Sequence, residues 1–162
     1  MTGVPMKNNV VLAQDCELWM LLHQTCDAII KARENALRKQ VGISRMQASV
    51  LFIVKAVDGP ATPAEISRWL FREPHSVSGL LNRMEKDGLV KKVKDLDRKN
   101  LIRVAITEKG EEAYKQSGDI TVVPKILSCL SRKKRENLRE YLETLRNRTL
   151  EELTVRREMP FP

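Results

Sequence analysis

Aromatic residues are scarce: phenylalanine, tyrosine and tryptophan make up 4% of the 162 residues. A surface that stacks successive bases of a single strand needs more of them, so that class is disfavoured. Histidine is represented only by His23 and His75, and the three cysteines, Cys16, Cys26 and Cys129, form no C-x-x-C pair. Without a cluster of such ligands no metal site is expected, and no cofactor either. An odd, scattered cysteine count suits a reducing cytoplasm better than a disulfide framework. No apolar run reaches membrane-spanning length, and the opening MTGVPMKNN lacks a charged segment followed by an apolar one. Neither a membrane partner nor a secretory signal is therefore expected. A Gly-rich phosphate loop, a nucleophile elbow and metal-ligand spacing are all missing, so the chain does not read as an enzyme.

Positive charge is abundant. Lysine and arginine number 29 against 21 acids, giving a net charge of +8. That excess favours a polyanionic partner. It is concentrated in VKKVKDLDRKNLIRVAITEKG, residues 90–110, where six bases between Lys91 and Arg103 face two acids. Half the net charge of the chain sits in that short piece.

The periodicity predicts a mainly α protein with a small two- or three-stranded β-wing. Leu18, Leu22, Cys26, Ile29 and Arg33 step by three or four along a helix over residues 10–40, which Gly42 stops. Ser44 and Gln47 form a capping box for a second helix that runs through Met46, Val50, Val54 and Val57 and is ended by Asp58-Gly59-Pro60. Thr62 and Glu65 form another, with Pro63 at the first helical position. This short helix turns inward Ile66 and Leu70, with Trp69 nearby. A break at Arg72-Glu73-Pro74 leads to a helix over 74–87 with Val77, Leu80, Leu81 and Met84 on its buried side and Gly88 at its left-handed end. Two short helices separated by a tight turn are a helix-turn-helix. Strands over 89–94 and 101–106 follow, the second with Ile102, Val104 and Ile106 on one face. Thr107 caps a helix running to a break at Val123-Pro124, and Ser131 starts the last one, with Leu138, Leu142, Leu145 and Leu153 on a stripe. Residues 158–162 read as a frayed tail or a segment lying on a partner.

This order, with EISRWL, SVSGLLNRMEKDGLV, DLDRK and ITEKG in succession, resembles the MarR family of winged-helix transcription regulators over about residues 10–154. In this chain Asp97-Arg98 stands one residue farther from the Ile106-Thr107 junction than is usual for the family. The resemblance implies a homodimer. Residues 10–40 and 108–157 would form its helical dimerisation region, and residues 44–106 the winged helix-turn-helix domain that grips a pseudo-palindromic duplex. It also implies a repressor, released by a small phenolic or other anionic effector or by cysteine oxidation. Apolar stripes at both ends of the chain point independently to pairing of two copies.

The residues themselves suggest the contacts. In the second helix of the turn His75, Ser76, Ser78, Gly79, Asn82 and Arg83 face away from the apolar side. Short serines permit close approach, Asn82 suits adenine, and Arg83 suits guanine or phosphate. Gly79 weakens the helix and leaves room for the DNA backbone or a neighbouring helix. Glu73 is a weaker candidate that could accept from cytosine. In the wing, Lys91, Lys92, Lys94 and Lys99 lie within reach of phosphates, Arg98 suits a narrow minor groove, and Asp97 would orient it. A solvated hairpin whose charged edges only prevent aggregation fits the same residues. An effector pocket would draw on Trp19, His23, Met46, Trp69 and Tyr114, each of which also suits ordinary packing. Cys26 falls on the apolar stripe and Cys16 has no basic neighbour, so neither reads as an oxidant sensor. The competing classes are a nonspecific architectural DNA binder and a protein-interaction module.

Overall fold

The computed structural model of the chain describes residues 6–57, 61–94 and 101–153. Seven helices and one hairpin follow in the order α1 (Met6–Gln40), α2 (Arg45–Ala56), α3 (Pro63–Trp69), α4 (Pro74–Lys86), β1 (Val90–Lys94), β2 (Ile102–Ile106), α5 (Glu108–Gly118), α6 (Val122–Leu127) and α7 (Arg132–Glu152) among the described residues. The fold is the winged helix-turn-helix that the periodicity predicts.

Local chemistry sets the boundaries. The Ser44 hydroxyl accepts from the Gln47 amide at 3.2 Å while the Gln47 side chain accepts from the Ser44 amide at 2.8 Å. Thr62 and Glu65 repeat the exchange at 3.2 and 3.4 Å. Each box satisfies two amides at a helix start. At the end of α4, Gly88 adopts φ +71°, and the Gly88 and Leu89 amides donate to the Glu85 and Met84 carbonyls. That closure is a Schellman motif, and it aims the chain directly into β1.

The core gathers around Leu37, Leu51, Ile53, Ile66, Leu81 and Met84, all fully buried. These come from the end of α1 and from α2, α3 and α4. Val90 and Val104 add the base of the hairpin, and Ala113 adds α5. The hairpin is antiparallel, with Val90 opposite Ile106 and Lys94 opposite Ile102. Among the described residues the sheet has two strands, and the Val104 amide donates to the Ala61 carbonyl at 2.9 Å, so the chain before α3 supplies a bridging bond to the hairpin.

Several expectations are corrected. On α2 the stripe is wider than the spacing predicts: Val50 is fully buried, Leu51 and Ile53 join it, and Met46, Val54 and Val57 pack half-buried against the core. Ile102 is 42% exposed, because the hairpin projects beyond the core before its tip. The break after α5 falls at residues 119–121, and Pro124 sits inside the first turn of α6. A proline is tolerated there because first-turn amides have no partner within the helix. Cys26 lies on the α1 stripe but is exposed, since within one chain only the C-terminal part of α1 packs. The turn at residues 58–60 and the tail at 158–162 lie outside the described residues.

Candidate nucleic-acid interface

The turn between α3 and α4 is closed by a reciprocal pair. The Ser67 hydroxyl donates to the Arg72 carbonyl at 2.5 Å, and the Arg72 amide donates to the Ser67 carbonyl at 3.1 Å. Between them Phe71 takes a left-handed conformation, φ +50°. A side chain is disfavoured there by about 1–2 kcal/mol, so the pair holds the backbone in a turn that it would otherwise relax. Pro74 then starts α4 with its fixed φ. Ser67→Ala should therefore cost about 1 kcal/mol of stability and speed amide hydrogen exchange at residues 70–73. Denaturant titration and exchange measurements check both.

Helix α4 is two-sided. Val77, Leu80, Leu81 and Met84 are buried, whereas His75, Ser76, Ser78, Asn82 and Arg83 are exposed. Gly79 lies between the two sides, and a Cβ built there would meet nothing within 4 Å. Of the two uses considered for the missing side chain, a neighbouring helix of the same chain is not the occupant. Beside this face an open groove of about 480 Å³ runs between α4 and the start of α2, lined by Ser44, Gln47, Arg72, Ser76 and Arg83 among others. Glu73, at the N-cap of α4, is exposed and makes no capping bond.

The hairpin places Lys91 and Lys94 in solvent on β1. Lys92 behaves differently. Its ammonium turns back onto α4, bonding the Asn82 Oδ1 and lying 3.5 Å from Glu85 Oε2, while its amide donates to Glu85 Oε1 at 2.9 Å. Sequence reasoning missed this clamp, because nothing in the spacing from Asn82 to Lys92 indicates that β1 doubles back along α4. Asp97, Arg98 and Lys99 lie outside the described residues.

The base of the hairpin is fixed to α5. The Thr107 hydroxyl donates to the Gly88 carbonyl at 2.5 Å and accepts from the Gly110 amide at 3.1 Å. The Thr107 amide donates to the Leu89 carbonyl at 3.2 Å. A Cβ at Gly110 would stand 2.0 Å from that same carbonyl oxygen. The ITEKG segment thus carries a capping threonine and a glycine required by close approach.

The five residues considered for an effector pocket are dispersed. Trp19 and His23 lie side by side on α1 with tilted rings whose centroids are 5.8 Å apart, and Trp19 is 61% exposed. Met46 lines the groove beside α4. Trp69 packs against the core, as does Tyr114, whose ring lies 5.9 Å from the Lys55 ammonium. Lys55 also pairs with Glu111 at 2.9 Å, joining α2 to α5.

Long helices framing a helix-turn-helix and its β-hairpin define a winged-helix protein. A family model described as MarR family matches residues 41–105. The organohalide-sensing transcriptional regulator RdhR, solved with 2,4-dichlorophenol, is 31% identical over 93% of this chain and 88% of its own, with a TM-score of 0.75. The chain belongs to the MarR family of transcriptional regulators. Two more distant structures share the fold. The regulator BldR from Sulfolobus solfataricus is 21% identical, covering 85% of this chain and 97% of its own, with a TM-score of 0.73. MepR from S. aureus, solved with DNA, is 18% identical, covering 80% and 94%, with a TM-score of 0.69. Comparison with curated proteins gave no match.

Proposed function

We propose that this regulator binds double-stranded DNA sequence-specifically as a homodimer, on a pseudo-palindromic operator, and acts as a repressor in the cytoplasm. The observation that carries the reading is the outer face of α4. It is convex, free of large apolar side chains, lined by His75, Ser76, Ser78, Asn82 and Arg83, and flanked by the basic hairpin. An α-helix of this kind fits the major groove, with backbone phosphates left to the flanking lysines. That MepR, which shares the fold, is solved with DNA supports duplex binding as such.

Two copies are supported by exposed apolar surface at both ends of the chain. Leu18, Trp19 and Leu21 on α1, and Tyr141, Leu142 and Leu145 on α7, stand largely in solvent. Such an extended apolar surface is costly to leave wet, and an isologous interface covers it on both chains. The dimerisation region would comprise residues 10–40 and 108–157, and the DNA-binding lobe residues 44–106. The dichlorophenol-bound relative supports a small phenolic effector.

Selection of bound sequences from random duplexes tests the reading. The winner should be a palindrome preferred at least about a thousandfold over bulk DNA. On that winner, Arg98→Ala should weaken binding and lower the salt slope, as loss of a cationic contact to the duplex does. Asn82→Ala should relax preference at one position per half-site. Binding without sequence preference would instead assign an architectural role, and absence of salt-dependent binding a protein-interaction role. A monomeric sedimentation mass at micromolar concentration would overturn the homodimer.

A further inference from the structure

The outer face of α4 has two flanks. Asn82 and Glu85 lie on the flank beside β1, where Lys92 meets both. Ser76, Leu80, Arg83 and Asp87 step by four, three and four, so they form one stripe down the other flank, with His75, Gly79 and Lys86 between the two. That stripe is one wall of the groove of about 480 Å³, and the start of α2, with Ser44, Met46 and Gln47, is the other. Arg72 lines the same groove, just ahead of the first turn of α4. The groove is therefore continuous with the candidate recognition face, since Ser76 and Arg83 belong to both.

Arg72 and Arg83 are exposed, and their guanidinium groups make no ion pair among the described residues. Arg72 holds the turn through its backbone alone, which leaves its side chain available. The Ser44 hydroxyl accepts from the Gln47 amide and keeps its own hydrogen to donate. Asp87, the acid of the lining, sits at the far end of the stripe, where its carboxylate accepts from the Gln47 side chain at 3.0 Å. The major groove of DNA is about 12 Å wide, and a helix with its side chains is about 10–12 Å across. A helix seated in it thus has a phosphate strand close against each flank. The proposed function gives one of these strands to the hairpin lysines. We propose that the groove between α4 and the start of α2 receives the other, with Arg72 and Arg83 as phosphate contacts and Ser44 and Ser76 donating to the same backbone. This inference rests on the proposed function. It adds Arg72 and Ser44 to the interface, and it takes Arg83, whose chemistry suits guanine or phosphate, to the phosphate.

Binding to the selected operator and to random duplex over a salt series tests it, on the full chain and on Arg72→Ala, Arg83→Ala and Ser44→Asp, each confirmed folded by circular dichroism. Arg72→Ala and Arg83→Ala should each lower the slope of log affinity against log salt by about one, on both duplexes, and leave the selected sequence unchanged. Aspartate caps a helix as well as serine does. Ser44→Asp should therefore keep its stability yet lose roughly tenfold or more in affinity at low salt, by repelling the phosphate. Neutral methylphosphonates placed singly along the operator locate the contacts. At one position per half-site the replacement should weaken the unaltered protein and leave Arg72→Ala unaffected, and at another the same should hold for Arg83→Ala. An unchanged slope and affinity in Arg72→Ala, or full affinity in Ser44→Asp, would overturn the proposal. So would relaxed preference at a discrete base pair in Arg83→Ala with the slope unchanged, which would make that residue a base reader. If selection returns no preferred sequence, the sequence-specific reading fails, and the slopes on random duplex still decide this one.

Discussion

Gly110→Ala is expected to destabilise the protein by more than about 4 kcal/mol, a large share of the roughly 5–15 kcal/mol by which a domain is usually stable. The added carbon would stand 2.0 Å from the Leu89 carbonyl oxygen, 3.1 Å from its carbon and 2.8 Å from Ile106 Cγ2. The obstacle is backbone, and it cannot easily retreat. The Leu89 carbonyl accepts from the Thr107 amide, and Leu89 itself closes the end of α4 through its own amide. Moving it would break the helix cap, loosen the hairpin and expose the Val90–Ile106 pair together. Urea titration reads the effect, and a fall in soluble yield would accompany it. Gly118→Ala, at the far end of the same helix, is the control: nothing lies within 4 Å of its added carbon, so stability should hold or rise slightly. Equal behaviour of the two variants would show that α5 does not seat against the strand base as described.

Substitution of Gly79 should separate stability from function. Gly79→Ala should raise stability by roughly 1 kcal/mol, the difference in helix propensity, since the new methyl meets open space. Gly79→Leu should also fold, yet lower duplex affinity at least a hundredfold. A branched side chain there would hold α4 off the floor of the groove and separate Ser76, Ser78 and Asn82 from base edges together. Thermal melts and binding titrations on one preparation test both signs. Unimpaired binding by Gly79→Leu would mean that another surface meets the DNA.

The parts of the fold that were legible in the sequence are those specified by near neighbours. Ser44 with Gln47 and Thr62 with Glu65 are three residues apart and meet as their pattern predicts. The buried side of α4 follows from the helical repeat alone, and its complement names the exposed residues. What the sequence hid depends on contacts between distant segments. Lys92 looks like any other base of the hairpin until β1 is laid along α4. The dispersion of Trp19, His23, Met46, Trp69 and Tyr114 is likewise a matter of three-dimensional placement, as apolar periodicity shows which side of a helix is greasy without showing what covers it. The same limit explains Cys26, which shares a stripe with Ile29 but is exposed among the described residues.

The junction at Thr107 and Gly110 bears on how a signal could travel. Helix α5 leaves the strand with no intervening linker, and a hard van der Waals stop lies beneath its first turn. There is no slack joint at which a tilt could be absorbed. A rotation imposed on α5 from the direction of α6 and α7 would therefore be passed undamped to the base of the hairpin and, through Ala113, Val90 and Val104, into the packing beneath the helix-turn-helix.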